Sequence, residues 1–260
     1  MDVEKILVER GIKATRGLGQ YFLIDDGVAT RMVEYAGVAR GDVVLEIGAG
    51  VGSLTEKLER KAKKVYAVEK DEELCEVLRE RCNKSKTEVI EGDIMKLELP
   101  AFDKVVASIP FSLSSPITYT LLLHNASFGL AVLLYQKEFA QKMSANPGSN
   151  LYGRLSVITQ ALADVEILEL VHGGAFYPSP PVTAAIVRLR EKEVENKEKF
   201  FEFVTAAFCQ RRKKMSSIFK TSFFGGSALA ELDKRPEELR PEEFVKLANY
   251  LQANMTSKSE

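Results

Sequence analysis

The stretch Leu45-Glu46-Ile47-Gly48-Ala49-Gly50-Val51-Gly52-Ser53 constrains the fold more than any other part of the chain. Val43-Val44-Leu45-Glu46-Ile47 reads as a short buried strand, and Leu54 and Leu58 mark one face of a helix over residues 53–61. The three glycines therefore fall where a strand turns into a helix. Glycine there lets the backbone turn tightly and lets a ligand approach with no Cβ in the way. The dinucleotide fingerprint places its third glycine three residues after the second. That position holds Ser53, and Gly52 comes one residue too early. The pattern is Gly-x-Gly-x-Gly, the turn used to bind S-adenosylmethionine (SAM) rather than a nicotinamide cofactor.

The surrounding chain supplies a matching frame. Strand-like runs recur at 64–68, 89–91, 104–107, 130–134, 165–170 and 185–189, with helical spacing over 72–82, 116–123 and 155–162. Alternating β and α elements predict an α/β fold of the class I SAM-dependent methyltransferase type. This is a Rossmann-like, mainly parallel sheet with helices on both faces. Glu69 ends the second strand about twenty residues beyond Gly48, where a carboxylate in a doubly wound fold accepts hydrogen bonds from both ribose hydroxyls. Asp93 follows the third strand, where a carboxylate can accept from the adenine amine of the cofactor. Three such features, in order at the ends of consecutive strands, make SAM binding the expected function of this half.

After the fourth strand comes Ala107-Ser108-Ile109-Pro110-Phe111. Enzymes that methylate an exocyclic amine carry a short (Asn/Asp/Ser)-x-Pro-(Tyr/Phe) segment at this place. An adenine N6 lone pair is delocalised into the ring, so the amine is a poor nucleophile. Acceptors aimed at its two hydrogens draw the nitrogen towards tetrahedral geometry and free the lone pair for in-line attack on a sulfonium methyl. An aromatic ring can stack on a base that has left its helix or loop. Ser108, Pro110 and Phe111 are the candidate catalytic residues, and the chemistry requires no metal.

Composition narrows the setting. The 260 residues carry a formal net charge of -1, which hides a basic block at Gln210-Arg211-Arg212-Lys213-Lys214, followed by Lys220. Such a block binds a polyanion if another feature points to one; otherwise it is a solvated face. Beyond the charged run after Arg190, Phe200, Phe203, Val204, Ala207 and Phe208 recur at helical spacing. We therefore expect a SAM-binding catalytic domain over 1–192 and a small C-terminal helical domain over 193–260. Cys75, Cys82 and Cys209 are too few and too scattered for a disulfide framework or zinc site. There is no run of about eighteen apolar residues and no apolar leader after Met1-Asp2-Val3-Glu4-Lys5, so we expect a cytoplasmic protein with no membrane span. Nothing demands more than a monomer. His124 and His172 read as a helix-end and a loop residue rather than bases.

Gly19-Gln20-Tyr21-Phe22-Leu23 resembles the Gly-Gln-Asn-Phe-Leu segment that opens the KsgA-type ribosomal RNA adenine dimethyltransferases. Glu46-Ile47-Gly48-Ala49-Gly50, Gly92-Asp93, Ser108-Ile109-Pro110-Phe111, Gln136-Lys137-Glu138 and Tyr152-Gly153-Arg154-Leu155-Ser156 resemble that family's successive segments. So do Ala175-Phe176-Tyr177-Pro178 and Ala207-Phe208-Cys209-Gln210-Arg211-Arg212-Lys213, so that the resemblance runs from about Gly17 to Leu251. It implies dimethylation at N6 of two adjacent adenosines in a hairpin loop near the 3′ end of small-subunit rRNA, within an immature ribosomal subunit. It implies SAM contacts from Gln20, Tyr21, Leu23, Gly48, Gly50, Glu69, Asp93 and Ser108. Ser108, Pro110 and Phe111 would handle the target base, with Phe176 as a second stacking surface. Arg211, Arg212, Lys213 and Lys214 would hold RNA phosphates.

Three positions depart from the family pattern. Ser108 stands where the family has Asn, Phe111 where it has Tyr, and Tyr21 where it has Asn. A serine hydroxyl reaches less far than an asparagine carbonyl, so a backbone carbonyl at Ile109 or Pro110 would have to share in accepting from the amine. Ser108 also motivates a second reading, in which the chain binds immature subunits as an assembly factor with weak or no methylation.

Overall fold

Val44, Leu45 and Ile47 are buried to within a few per cent, as expected of a strand covered on both faces, and they lie at the centre of the principal sheet. The computed structural model describes residues 3–14, 20–123, 128–219, 224 and 228–256, the stretch 252–256 by its backbone alone. Gly17, Gly19, His124 and Lys220 of the sequence reading lie outside these residues. The chain order is α1 (Val3–Glu9), β1 (Phe22–Leu23), α2 (Asp26–Tyr35), β2 (Val43–Ile47), α3 (Thr55–Lys61), β3 (Lys64–Glu69), α4 (Glu72–Arg81) and β4 (Thr87–Glu91). There follow β5 (Lys104–Ser108), α5 (Ser114–Leu123), β6 (Leu130–Gln136), α6 (Lys137–Met143), α7 (Arg154–Leu162), β7 (Ala163–Val171), β8 (Phe176–Tyr177) and β9 (Ala184–Glu191). The remaining helices are α8 (Lys197–Cys209), α9 (Met215–Ile218), α10 (Leu229–Leu232) and α11 (Pro241–Thr256).

The principal sheet has the order β4-β3-β2-β5-β6-β9-β7. β4, β3, β2, β5 and β6 run parallel, and β9 returns antiparallel to β6. The strand order reverses between β2 and β5, which pair directly through Val44↔Lys104 and Leu45↔Val105. A crevice opens beyond the carboxyl ends of strands at such a switch point. Both sequence motifs, one leaving β2 and the other leaving β5, therefore emerge side by side.

Local chemistry sets several boundaries. Asp25 and Asp71 cap α2 and α4 by accepting from Val28 N at 2.9 Å and Leu74 N at 3.2 Å. The helix expected from Pro116 starts earlier, at Ser114, because a 3-10 turn over Phe111–Leu113 runs straight into it. Pro116 still lies in the first turn, where a missing N–H breaks no helical bond. β1 and β8 form a separate antiparallel pair, Phe22↔Tyr177 and Leu23↔Phe176, extended by Ile24 N donating to Ala175 O at 2.8 Å.

The chain divides into two compact units, Met1–Ala140 with Glu166–Glu191, and Gln141–Val165 with Lys192–Glu260. The boundary expected after residue 192 places the stretch 141–165 in the first domain, whereas the structure groups it with the helical unit. Side-chain bonding explains the difference. Ser156 Oγ donates to Lys142 O at 2.6 Å, Thr159 Oγ1 to Met143 O at 3.0 Å, and Gln160 Nε2 to Met143 O and Ala145 O at 2.9 and 2.8 Å. Lys142 and Met143 stand in the last turn of α6, and Ala145 lies just beyond it. The buried Tyr152 hydroxyl donates to Leu239 O at 2.7 Å, and Phe208 lies 6.5 Å from the Tyr152 ring and 5.8 Å from that of Phe244. α7 thus belongs to the same apolar core as α8 and α11.

Candidate active site

The turn after β2 is held against the end of β3. Val68 O accepts from Gly48 N at 2.8 Å and from Ala49 N at 3.2 Å, and Glu69 Oε2 accepts from Gly50 N at 2.9 Å. Gly48 has φ +69° and Gly50 φ +59°, the left-handed region that L side chains rarely adopt. A Cβ on Gly48 would lie 3.4 Å from Pro110 Cδ, and one on Gly50 would lie 3.1 Å from Phe22 Cδ1. The glycines therefore let two other parts of the first unit, the segment after β5 and the β1 segment, close onto the turn.

Between these parts lies a cavity of about 600 Å³, within the size range of sites for cofactor-sized ligands. Gln20, Tyr21, Leu23, Gly48, Gly50, Glu69, Ser108 and Pro110, all expected from the sequence, form its wall. Glu46, Phe22, Lys70, Asp71, Ser112 and Leu113 also contribute and were not expected as site residues. Lys70 and Asp71 could have been inferred, since they directly follow Glu69 at the mouth of the same strand.

The two carboxylates differ in how they are held. Glu69 is 9% exposed; its Oε1 accepts from Lys70 N at 2.8 Å and Asp71 N at 3.1 Å, in addition to the Gly50 bond at Oε2. Burial raises its carboxyl above the ordinary range, against the downward pull of those three N–H groups. Glu46 lies deeper and accepts from Thr55 Oγ1 at 2.7 Å. Burial pushes it up to about 8, an effect that the Thr55 bond opposes and the nearby Glu69 charge reinforces. Glu46 is thus mostly protonated at neutral pH, while Glu69 presents fixed lone pairs to the cavity.

Asp93, Phe111 and Phe176 do not form part of that wall. Asp93 has a side chain 15% exposed, accepts from Met95 N at 3.1 Å, and pairs with Lys70 at 3.1 Å. The Met95 N–H first, and then Lys70, hold its carboxyl below the ordinary range. Phe111 is half-buried, with its ring 5.5 Å from Tyr21 and 6.1 Å from Phe176. Phe176 is 3% exposed and meets Phe111 edge to face, so it braces that ring and presents no open face for a base. Here the geometry departs from the expected second stacking surface. The cause is the β1–β8 pairing, which draws Phe176 into the apolar core beside Leu23. The Pro110 carbonyl, one of two backbone acceptors considered for the target amine, accepts from Leu113 N at 2.9 Å.

In the second unit the basic block occupies the turn between α8 and α9. Arg211 pairs with Glu237, and Lys214 with Asp233 at 2.7 Å. Arg212 and Lys213 are exposed and make no ion pair among the described residues.

The family model described as "Ribosomal RNA adenine dimethylase" matches residues 11–253. The chain belongs to that family. It is a SAM-dependent rRNA adenine dimethyltransferase, and the class I methyltransferase fold read from the sequence is the fold of its structural neighbours. The dimethylase is 42% identical over 264 residues to a probable ribosomal RNA small subunit methyltransferase A of Thermococcus onnurineus, covering 96% of each chain. It is 44% identical over 265 residues to the protein of the same name from Methanosarcina acetivorans, covering 96% of this chain and 97% of that one. Among solved structures, a dimethyladenosine transferase from Plasmodium falciparum superposes with a TM-score of 0.80 at 30% identity, covering 90% of this chain and 98% of that one. The 23S rRNA methyltransferase ErmE gives 0.69 at 28% identity, covering 89% and 99%.

The dimethylase's cavity suits SAM on its own chemistry. It has a Cβ-free turn against which a flat or charged ligand can lie, a buried carboxylate with lone pairs for hydroxyl donors, and a volume on the cofactor scale. The group brings a methyl on a sulfonium, which leaves without metal or covalent assistance. Among the described residues, no helix is long and apolar enough to cross a membrane.

Proposed function

We propose that this dimethylase modifies N6 of two adjacent adenosines in a hairpin loop near the 3′ end of small-subunit rRNA, within an immature subunit, as a cytoplasmic monomer. Relatives above 40% identity along nearly the full chain carry small-subunit names, which favours that RNA over the large-subunit one named for ErmE. The observation that carries the chemical reading is the approach of Gly48 to Pro110, which sets the cofactor turn beside Ser108 across neighbouring strands.

In this reading Glu69 accepts from the ribose hydroxyls, and Asp93 accepts from the cofactor adenine amine once Lys70 yields. Gln20, Tyr21, Leu23, Gly48 and Gly50 line the methionine and ribose end. Ser108 accepts one hydrogen of the target amine, and Phe111 supports the base. The Pro110 carbonyl keeps one lone pair after bonding Leu113 N, so it serves as a second acceptor. Excluding water at this end strengthens both contacts where charge develops on nitrogen. The helical domain over 193–260, with the basic block, holds RNA phosphates.

The test is methyl transfer from labelled SAM to immature small subunits, with mass analysis of the product nucleosides. Dimethyladenosine in a two-to-one ratio to subunits is expected. Tight subunit binding without incorporation would favour the assembly-factor reading motivated by Ser108. Ser108→Ala should lower the transfer rate about tenfold while SAM affinity stays within twofold, because one acceptor bond formed in the transition state is lost. Unchanged turnover removes Ser108 from the mechanism.

A further inference from the structure

Residues 57–64, Lys-Leu-Glu-Arg-Lys-Ala-Lys-Lys, hold five cations and one acid in a chain whose net charge is -1. Lys57 pairs with Asp26 and Lys64 with Glu88. Arg60, Lys61 and Lys63 are exposed and make no ion pair among the described residues, and the same holds for Lys84 in the loop before β4. That loop is stitched to the end of α3. Glu59 Oε1 accepts from Asn83 N at 2.7 Å and from the Thr87 hydroxyl, and Lys86 Nζ donates to Glu59 O at 2.7 Å. Arg60, Lys61, Lys63 and Lys84 are thus gathered from two segments into one patch. A helix commonly draws cations to its last turn to meet its unpaired carbonyls. Here Lys86 already fills that role, with Ala62 O as a second acceptor at 3.4 Å. Glu59, the one acid of the run, is engaged by the loop, and Glu56 just before the run pairs with Arg81. The four remaining charges face water unopposed.

We propose that this patch is a second RNA-binding surface, which holds the phosphate backbone of small-subunit rRNA away from the target loop. The proposal rests on the small-subunit reading above. Its place in the sheet separates it from the chemistry. β3 opens at Lys64, beside the patch, and closes at Glu69, in the cavity wall. At about 3.3 Å per residue those two edges of the sheet lie roughly 17 Å apart. A base beside Ser108 leaves its own phosphates on the cavity side, so the phosphates met by the patch belong to another stretch of the RNA. Clustered cations without acidic partners, drawn from a helix end and a loop, fit a backbone read by charge rather than by sequence. Both edges are engaged at once only by an RNA that folds around the domain, as rRNA within a subunit does and a short hairpin does not. The patch thereby favours the immature subunit over the isolated loop as substrate.

The test combines Arg60→Gln, Lys61→Gln, Lys63→Gln and Lys84→Gln in the full-length protein. A companion with Lys61→Arg, Lys63→Arg and Lys84→Arg keeps every charge. Binding is measured to immature subunits, to protein-free small-subunit rRNA and to a short hairpin with two adjacent loop adenosines, over about 50 to 200 mM salt. The glutamine variant should bind subunits and rRNA at least about tenfold more weakly at the low-salt end. Its slope of log affinity against log salt should be shallower by about three, the release expected of four phosphate contacts. Each single substitution should take about 0.7–0.9 from that slope, so the result does not depend on the fourfold variant folding well. Hairpin and S-adenosylhomocysteine affinities should stay within twofold, and the arginine variant should match the parent protein. The proposal is overturned if subunit binding and its slope are unchanged. It is overturned too if hairpin binding falls as far as subunit binding, which makes the charges a general field and not a second site. Loss on subunits without loss on protein-free rRNA assigns the patch to an acidic protein and also overturns it. These readouts need no methyl transfer. A parent protein that binds through the patch but transfers no methyl therefore leaves the surface standing and removes the catalytic reading.

Discussion

Replacing Glu69 by glutamine keeps the side-chain volume and removes the charge at the point where the glycine turn is anchored. Its two oxygens accept three backbone N–H groups, Gly50 at 2.9 Å on one side and Lys70 and Asp71 at 2.8 and 3.1 Å on the other. A glutamine has one carbonyl oxygen. Turned to keep Lys70 and Asp71, it sets its NH2 against Gly50 N, a donor facing a donor; turned the other way, it loses two bonds instead of one. A hydrogen bond to a charged group is worth about 1.5–3 kcal/mol, and the buried charge given up returns part of that. The net cost to folding is therefore about 1–2 kcal/mol, or roughly 2–4 °C in melting temperature for a chain of this size. Ligand affinity suffers separately, because two ribose hydroxyls lose a charged acceptor. Binding of S-adenosylhomocysteine by calorimetry should weaken about 10- to 100-fold. Turnover at saturating SAM should stay near normal, since the lost contacts are equal in ground and transition states. If the melting temperature falls as stated while affinity stays within twofold, Glu69 anchors the turn and does not touch the ribose.

Gly48→Ala should cost about 1–2 kcal/mol in denaturant titration, because φ is +69° there, whereas Gly41→Ala, with open space around its Cβ, should be near neutral. Equal midpoints for the two variants contradict the strained turn. Glu46 has a folded-state value of about 8, above its unfolded carboxylate range, so the folded form holds the extra proton between the two values. Its contribution to stability is present at acid pH and is lost as pH rises from about 4.5 towards 8, by at most about 5 kcal/mol. Glu46→Gln should flatten the unfolding free energy across that window; parallel curves for the two proteins would contradict a buried neutral acid.

The mainly parallel sheet and the cavity's two sides were legible because glycines, strand-terminal acids and the Ser108–Pro110 segment act locally, each at the end of a strand. The same locality explains why Glu69 lies in the wall as expected. What escaped the sequence depends on partners distant along the chain. β1 and β8 have two residues each, too short for any period, yet their pairing buries Phe176 and brings Tyr21 to Phe111. The α7 stretch reads like another crossover helix, and only its bonds to the α6 carbonyls and to Leu239 assign it to the helical unit. Arg211 and Lys214 read as free cations because their acids, Glu237 and Asp233, lie more than a helix away in sequence. Asp93 reads as an open acceptor for the same reason, with Lys70 across a strand.

A crystal structure with S-adenosylhomocysteine tests the central arrangement most directly. The account predicts both ribose hydroxyls on the Glu69 carboxylate and the thioether sulfur facing Pro110 and Ser108. A ligand lying outside the cavity, or one reversed so that its adenine abuts Pro110, would contradict it.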